Sequence, residues 1–322
     1  MKTPRLNGCV LGLALLIPVV ASASTIRHDR SQSDYLSVGD FFTSVGRVNG
    51  VGTDPKTGQT INYIASGTLI SPNWVLTAGH VVDIAQSLNF TVGGRTITAD
   101  RWVPHPNWTG NVVSGYDIGL FKLHESVTDI APVTLYTGSS ELGRIGTFVG
   151  YGMTGTGLTG ATIFDGLKRG SQNNLDRFYD SAKRIFMVDF DNPSPYAYFD
   201  NLVGSKTPLY IEGLIAPGDS GGPVFMSEGT GRVVVGVNSF LGANFFDGKP
   251  DSDYGDYAGA TRVSPFTSWI DSVLYGTYAP TGAKLHDKSP ANLTTAIAIV
   301  PEPAAVALLA GILFGLRRRH VR

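Results

Sequence analysis

The stretch Gly218–Pro223 has the sequence Gly-Asp-Ser-Gly-Gly-Pro and places a serine between an acid and two glycines. Glycine has no Cβ, so the backbone can bend sharply there and bring the N–H groups of Gly218 and Ser220 close to a reacting carbonyl. Serine is a weak nucleophile at neutral pH and needs a base to accept its proton. The stretch therefore predicts a nucleophile loop, if a base lies near it in the fold.

Two upstream motifs supply the missing groups. Thr-Ala-Gly-His ends at His80, and Asp-Ile-Gly-Leu begins at Asp117. An imidazole with its ordinary pKa of about 6.5 can accept the serine proton, and a buried carboxylate can orient the ring and stabilise the imidazolium. We interpret the remaining candidate bases as surface or packing residues: His28, His105 and His124.

In this order, the three motifs resemble those of trypsin-like serine proteases of the chymotrypsin fold. The segment Ser66–His80 closely resembles the one that presents the catalytic histidine, and the resemblance covers about residues 41–275. It implies a serine endopeptidase that acts on protein or peptide substrates through an acyl-enzyme and needs no cofactor or metal. The implied roles are general base for His80, orienting acid for Asp117, nucleophile for Ser220, oxyanion hole for the N–H groups of Gly218 and Ser220, and a buried, loop-shaping acid for Asp219.

Short β-rich runs separated by glycine indicate an all-β protein, and the resemblance implies two antiparallel six-stranded β-barrels, at about 41–135 and 136–263. A helix is predicted over 264–275, with Ser264 as N-cap and Pro265 in the first turn. Examples of the predicted strands are Thr60 to Ile70, Trp74 to Leu76, Leu88 to Val92, Thr96 to Val103, Ile118 to Leu123, Gly146 to Gly150, Arg184 to Phe190, Pro208 to Leu214, Gly222 to Met226 and Arg232 to Phe240.

Two departures from the family pattern concern cross-links and specificity. Ala65 and Val81 stand where many members carry a disulfide, and the single cysteine, Cys9, lies in the first 23 residues. Leu214 stands at the base of the implied S1 pocket and offers no carboxylate to a basic side chain. Together with the implied pocket wall, Ser239, Phe240 and Leu241, it predicts a preference for small or apolar P1 residues.

Both ends of the chain resemble export signals. Residues 1–23 have a basic start, an apolar run and small residues before a cleavage site expected after Ala23, which predicts a signal peptide. A polar, irregular arm is expected at 24–40 and a linker at 276–299. Residues 300–322 combine Pro-Glu-Pro, an apolar helix and an arginine cluster, and they resemble a PEP-CTERM sorting signal.

These signals predict export to the cell envelope or extracellular matrix of a Gram-negative bacterium, with membrane anchoring until the C-terminus is processed. The implied partners are signal peptidase and an exosortase, and membrane contact is expected only through the terminal segments. Without residues 1–23 and 300–322, acidic residues exceed basic ones by six. This net negative charge predicts no binding of nucleic acid.

Several alternatives stay open at this stage. Family members often become active when a new N-terminus pairs with the acid matching Asp219, and Val48 or Ile26 could form that end. The acidic cluster Asp247, Asp251, Asp253 and Asp256 is either a Ca²⁺ site or, as we favour, a solvated turn. A binding protein on a protease fold and an esterase with the same triad are the rival functions, and the α/β-hydrolase elbow is not matched at Ser220.

Overall fold

The computed structural model describes residues 24–197, 203–244, 247–278 and 286–287. The predicted signal peptide at 1–23 and sorting signal at 300–322 lie outside the described residues, as does most of the predicted linker. Within the described part, no helix has the length and apolar character needed to cross a membrane.

The N-terminal segment forms strand β1 (Ser24–Ile26) and helix α1 (Gln32–Phe41). The expectation of an irregular arm was therefore wrong. Only Tyr35 and Gly39 of α1 are buried, so the helix lacks the broad apolar stripe that sequence periodicity detects. The Tyr35 hydroxyl donates a hydrogen bond of 2.7 Å to the carbonyl of Glu212, and this distant contact holds the helix in place.

The first barrel is a closed ring of six antiparallel strands. The order of neighbours is β6-β5-β2-β3-β4-β7, and β7 pairs back with β6. Phe90, Trp102 and Phe121 fill its interior and are fully buried. The strands are β2 (Val45–Thr53), β3 (Thr60–Ser71), β4 (Trp74–Thr77), β5 (Ala85–Val92), β6 (Arg95–Pro104) and β7 (Gly119–Leu123), with helix α2 (Gly79–Asp83) between β4 and β5.

The second half is an open sheet with the order β12-β9-β16-β17-β18-β14-β13, and β8 pairs in parallel with β17. A separate small sheet has the order β11-β10-β1-β15, so the N-terminal strand β1 completes this half of the molecule. The strands are β8 (Thr134–Leu135), β9 (Ile145–Gly150), β10 (Thr154–Thr156), β11 (Gly160–Ile163), β12 (Arg169–Asn174), β13 (Arg177–Phe178), β14 (Ile185–Asp189), β15 (Gly213–Leu214), β16 (Pro223–Glu228), β17 (Gly231–Gly242) and β18 (Tyr257–Arg262).

The predicted two-barrel, all-β fold is confirmed, with one refinement. The first barrel closes through backbone hydrogen bonds, whereas the second is a half-barrel within the described residues. The predicted strand at Pro208–Leu214 is reduced to Gly213–Leu214. Its earlier part is held differently, because the Glu212 carboxylate accepts the N–H of Leu209 in place of a strand partner.

The C-terminal helix α3 (Thr267–Leu274) is shorter than predicted, because a 3₁₀ turn over Ser264–Phe266 precedes it. The Ser264 hydroxyl contacts the Glu141 carboxylate at 3.4 Å and does not cap the helix. The helix packs on the body of the protein through Ile270, which is buried in the main core.

A last short strand, β19 (His286–Asp287), lies within the stretch predicted to be a linker. It pairs antiparallel with β6 at the edge of the first barrel. The His286 ring stacks on Trp102 with 5.9 Å between ring centroids. Part of the chain after α3 therefore returns to the first barrel.

Candidate active site

The structure brings the three predicted triad residues into one line of hydrogen bonds. His80 lies in α2, Asp117 lies two residues before β7, and Ser220 lies just before β16. His80 Nδ1 is 2.8 Å from Asp117 Oδ2, and His80 Nε2 is 2.8 Å from Ser220 Oγ. A carboxylate can only accept, so Nδ1 carries the ring proton and Nε2 is left to accept the serine proton.

Asp117 is fully buried, and each of its oxygens has a donor. Oδ1 accepts the backbone N–H of His80 at 2.8 Å, which fixes the start of α2 relative to β7. Oδ2 also accepts the hydroxyl of Ser239 at 2.5 Å. The carboxylate is therefore held in one orientation by both halves of the molecule.

The nucleophile loop joins the two halves through its backbone. The carbonyl of Ser220 accepts the N–H of Ser66 in β3 at 2.8 Å. The N–H of Gly221 donates to the carbonyl of Asn238, and the N–H of Gly222 donates to the carbonyl of Asp219. Gly218 and Gly221 have φ angles of +99° and +80°, which residues with a Cβ rarely adopt. The predicted need for glycine in this stretch thus has a backbone reason.

Asp219 lies beneath the nucleophile, fully buried, with each oxygen hydrogen-bonded. Oδ1 accepts the N–H of Gly152 at 2.8 Å, and Oδ2 accepts the N–H of Ala216 and the hydroxyl of Ser24, both at 2.9 Å. Burial raises its pKa to about 6, against the opposing effect of these hydrogen bonds. Its implied role as a loop-shaping acid fits this position.

The structure places the predicted specificity residues in the interior. Leu214 in β15 and Leu241 in β17 are both buried and belong to the core cluster of the second half. Phe240 is also buried and packs in a cluster with Ile185, Met187 and other apolar residues. The Ser239 hydroxyl faces Asp117 rather than open space.

The comparisons with known proteins agree with this geometry. The family model described as Trypsin matches residues 51–270. The chain belongs to the trypsin family. Chymotrypsin-like elastase family member 1 from Bos taurus is 29% identical over 244 residues, covering 68% of this chain and 82% of the relative. The Canis lupus familiaris protein of the same name is 30% identical over 229 residues, covering 66% and 81%.

The solved structure of HL collagenase has the same fold. It superposes with a TM-score of 0.51 at 19% identity and covers 75% of this chain and 97% of that one. Together, family and relatives identify the chain as a hydrolase of the serine endopeptidase class. The histidines that we interpreted as packing or surface residues have other contacts in this trypsin-family domain: His28 with Tyr254, His105 with Asn107 and His124 with Asp100.

His105 is one of these histidines and lies among aromatic rings. It stacks on Tyr116 with 5.2 Å between centroids and meets Phe266 and Trp269 edge-on. Burial, together with the nearby charge of Arg184, lowers its pKa to about 4. A ring that stays neutral and packed in this way anchors α3 to the first barrel.

Three neighbours of the site were missed by sequence reasoning. The Trp108 ring lies beside His80, with 6.5 Å between centroids. Ser24 contacts Asp219, and Ser66 contacts Gly218. These two pairs are 195 and 152 residues apart in the chain, so no local pattern could have indicated them.

The absent disulfide and the acidic turn can both be located in the fold. Ala65 and Val81, where a disulfide is common, are both buried in the first barrel core. In the acidic turn, one carboxylate oxygen from each of Asp247, Asp251 and Asp253 lies within 4.8 Å of the other two. Asp256 is buried apart from them and accepts the N–H groups of Asn244 and Ser252. The predicted solvated turn stays a prediction.

Proposed function

We propose that this trypsin-family enzyme cleaves peptide bonds through an acyl-enzyme formed on Ser220. The observation that supports the proposal is the unbroken hydrogen-bond line from Asp117 through His80 to Ser220 Oγ. A binding protein has no need of such a line, because its only effect is to make a serine hydroxyl nucleophilic.

In the proposed mechanism, Ser220 Oγ attacks the scissile carbonyl while His80 Nε2 accepts its proton. Asp117 keeps the ring in the productive tautomer and stabilises the imidazolium. The tetrahedral oxyanion is bound by the N–H groups of Gly218 and Ser220. His80 then donates its proton to the leaving amine, and water hydrolyses the acyl-enzyme by the same steps with His80 again as base.

For specificity, we propose small or apolar P1 side chains. The support is the chemistry of Leu214 and Leu241, which place branched apolar side chains and no carboxylate at the implied pocket positions. An arginine or lysine at P1 would lose its hydration without an acidic partner. Digestion of a peptide library checks this, and cleavage mainly after Arg or Lys would contradict it.

The test of the mechanism is labelling with a fluorophosphonate, which reacts with activated serines. Wild type should be labelled, whereas Ser220→Ala should not be labelled at all and His80→Ala only at a residual level. Digestion of peptides distinguishes an endopeptidase from an esterase that turns over esters alone. A correctly processed wild type that is not labelled would support the binding-protein alternative.

We further propose that the enzyme works outside the inner membrane, exported by residues 1–23 and sorted by residues 300–322. The support is the sequence pattern of these segments, with signal peptidase and an exosortase as the proposed processing partners. Mass spectrometry of both termini after cell fractionation tests the proposal. A cytoplasmic protein that keeps both termini would overturn it.

The activation step follows from contacts of the N-terminal strand. Ser24 contacts Asp219, whereas Val48 is buried in β2 between two partner strands, so a cut before Val48 would break a barrel strand. We propose that cleavage after Ala23 produces the active N-terminus at Ser24. N-terminal sequencing of the active form tests this, and a start far from Ser24 would contradict it.

A further inference from the structure

The hydroxyl of Ser66 joins three parts of the molecule. Ser66 lies in β3 of the first barrel and is fully buried. Its Oγ donates to the carbonyl of Gly218 at 3.0 Å and accepts the N–H of Tyr151, just after β9, at 2.9 Å. One side chain thus connects the first barrel, the second half and the nucleophile loop.

The peptide group that Ser66 contacts lies between the two N–H groups assigned to the oxyanion hole. The carbonyl of Gly218 and the N–H of Asp219 form this group, and that N–H donates to the carbonyl of Ala216 at 2.9 Å. Gly218 has a φ of +99°, and glycine has little steric resistance to rotation. Hydrogen bonds at both ends of the peptide group oppose that rotation.

The side chain of Ser66 acts separately from its backbone. The Ser66 N–H donates to the carbonyl of Ser220, and the Ser66 carbonyl accepts the hydroxyl of Thr77 at 2.8 Å. Both bonds would remain if the hydroxyl were removed. Ser66→Ala would therefore leave the strand attached to the loop and take away only the bonds to Gly218 and Tyr151.

We propose that Ser66 is a positioning residue for the oxyanion hole: its hydroxyl holds the Gly218–Asp219 peptide group so that the N–H groups of Gly218 and Ser220 point to one place. The inference rests on the proposed acyl-enzyme mechanism and adds a residue that the triad does not include. It predicts a defect in stabilising the transition state, with substrate binding preserved.

Kinetics of Ser66→Ala on the best substrate of the peptide library are the first measurement. Loss of an entire oxyanion-hole donor lowers kcat about 10²–10³-fold. Ser66→Ala only frees the donors to move, so it should lower kcat less, about tenfold. KM should stay within about twofold, since the ground state does not use the hole. A peptide boronate, which forms a tetrahedral adduct on the serine, should bind about tenfold more weakly.

Thr68→Val is the matched control. Thr68 lies two residues along on the same face of β3, is equally buried, and bonds to the carbonyl of Ser44 rather than to the loop. It should lower thermal stability but leave kcat and boronate affinity within about twofold of wild type. Ser66→Thr, which keeps a hydroxyl donor, should recover most of the lost kcat if it folds.

The comparison of Ser66→Ala with Thr68→Val decides the outcome. A selective loss of kcat and boronate affinity in Ser66→Ala supports the positioning role. Equal effects of the two substitutions, or unchanged kcat in Ser66→Ala, would overturn it while the proposed function stands. A wild type that neither reacts with a fluorophosphonate nor cleaves peptides would overturn the proposed function, and this inference with it.

Discussion

The two halves of the molecule bury charge differently. Within the described residues, the first barrel buries one carboxylate, Asp117, which belongs to the proposed triad. The second half buries six: Glu141, Asp189, Asp191, Glu212, Asp219 and Asp256. The described part of the barrel that closes through its backbone ladder buries no acid besides Asp117, which holds the start of α2. The half that stays open uses its buried acids to hold loops and the N-terminal segment.

The buried acids of the second half act mainly as acceptors for backbone N–H groups. Glu212 accepts those of Asp191 and Leu209, and Asp219 those of Gly152 and Ala216. Each carboxylate thereby replaces strand partners that an irregular segment lacks. The nucleophile loop lies in this half, so its geometry depends on titratable groups, whereas that of His80 depends on a closed barrel.

The largest expected effect concerns the single buried carboxylate of the first barrel. Asp117→Asn should lower kcat about 10⁴-fold, because an amide can donate to Nδ1 and stabilise the wrong tautomer of His80. The substitution is nearly isosteric, so the thermal midpoint should change by only a few degrees. Steady-state kinetics and thermal unfolding of the same preparations check both expectations.

A large loss of stability in Asp117→Asn would contradict the distinction between the halves, since it would make this carboxylate structural. Unchanged kcat would contradict its role in the triad. Asp100→Asn, at the exposed contact with His124, serves as the control and should change neither quantity.

A smaller effect is expected where the N-terminal strand meets the second half. Ser24→Ala removes a hydroxyl from the buried Asp219 carboxylate, and leaving a buried charge short of a donor costs about 1–3 kcal/mol. Without that donor the pKa of Asp219 should rise above its present value of about 6, so the loss of stability should be greatest above pH 6. Displacement of the loop should lower kcat on the order of tenfold.

Thr25→Ala provides the control for Ser24, because its hydroxyl bonds the carbonyl of Leu214 at 3.3 Å and does not touch Asp219. Thermal midpoints at pH 5 and pH 8, with kcat at pH 8, separate the two variants. A Ser24→Ala protein as stable and active as Thr25→Ala would show that Asp219 does not depend on the N-terminal strand.

Much of the fold could be predicted from local sequence. Nine of the ten predicted strands have counterparts of similar extent, because apolar β-branched runs between glycines have few other structures open to them. Among the segments that were missed or mispredicted are β1, α1 and Pro208–Leu214. Their backbone groups are held by side chains such as Tyr35 and Glu212, and no periodicity records such contacts.

The candidate active site likewise combines residues that local sequence indicates with residues that only distant contacts reveal. Each residue of the proposed triad lies in a motif of its own, so local sequence is enough to predict His80, Asp117 and Ser220 as a triad. Ser24 and Ser66 cannot be identified in this way, because a serine in a strand carries no signal of the distant carboxylate or carbonyl that it contacts. The support of the nucleophile loop is therefore visible only in the folded chain.

The smallest expected effect is a pH dependence of stability that originates in the second half. Burial, with the nearby charges of Glu212 and Asp176, raises the pKa of Asp191 from 3.8 to about 8. The native protein therefore keeps a proton that the unfolded chain releases above pH 4. Stability from this group is complete below that pH and is lost as the pH rises through 8.

Asp191→Asn should remove this penalty, because an amide has no charge to bury and Oδ1 of Asp191 lacks a hydrogen-bond partner among the described residues. The thermal midpoint should rise by a few degrees at pH 9 and by less at pH 5, because the penalty grows as the pH rises from about 4 to about 8. Asp271→Asn, at an exposed position of α3, should leave the pH profile as it is. Parallel profiles for wild type and Asp191→Asn would mean that the acids of the second half are not what makes it differ from the first barrel.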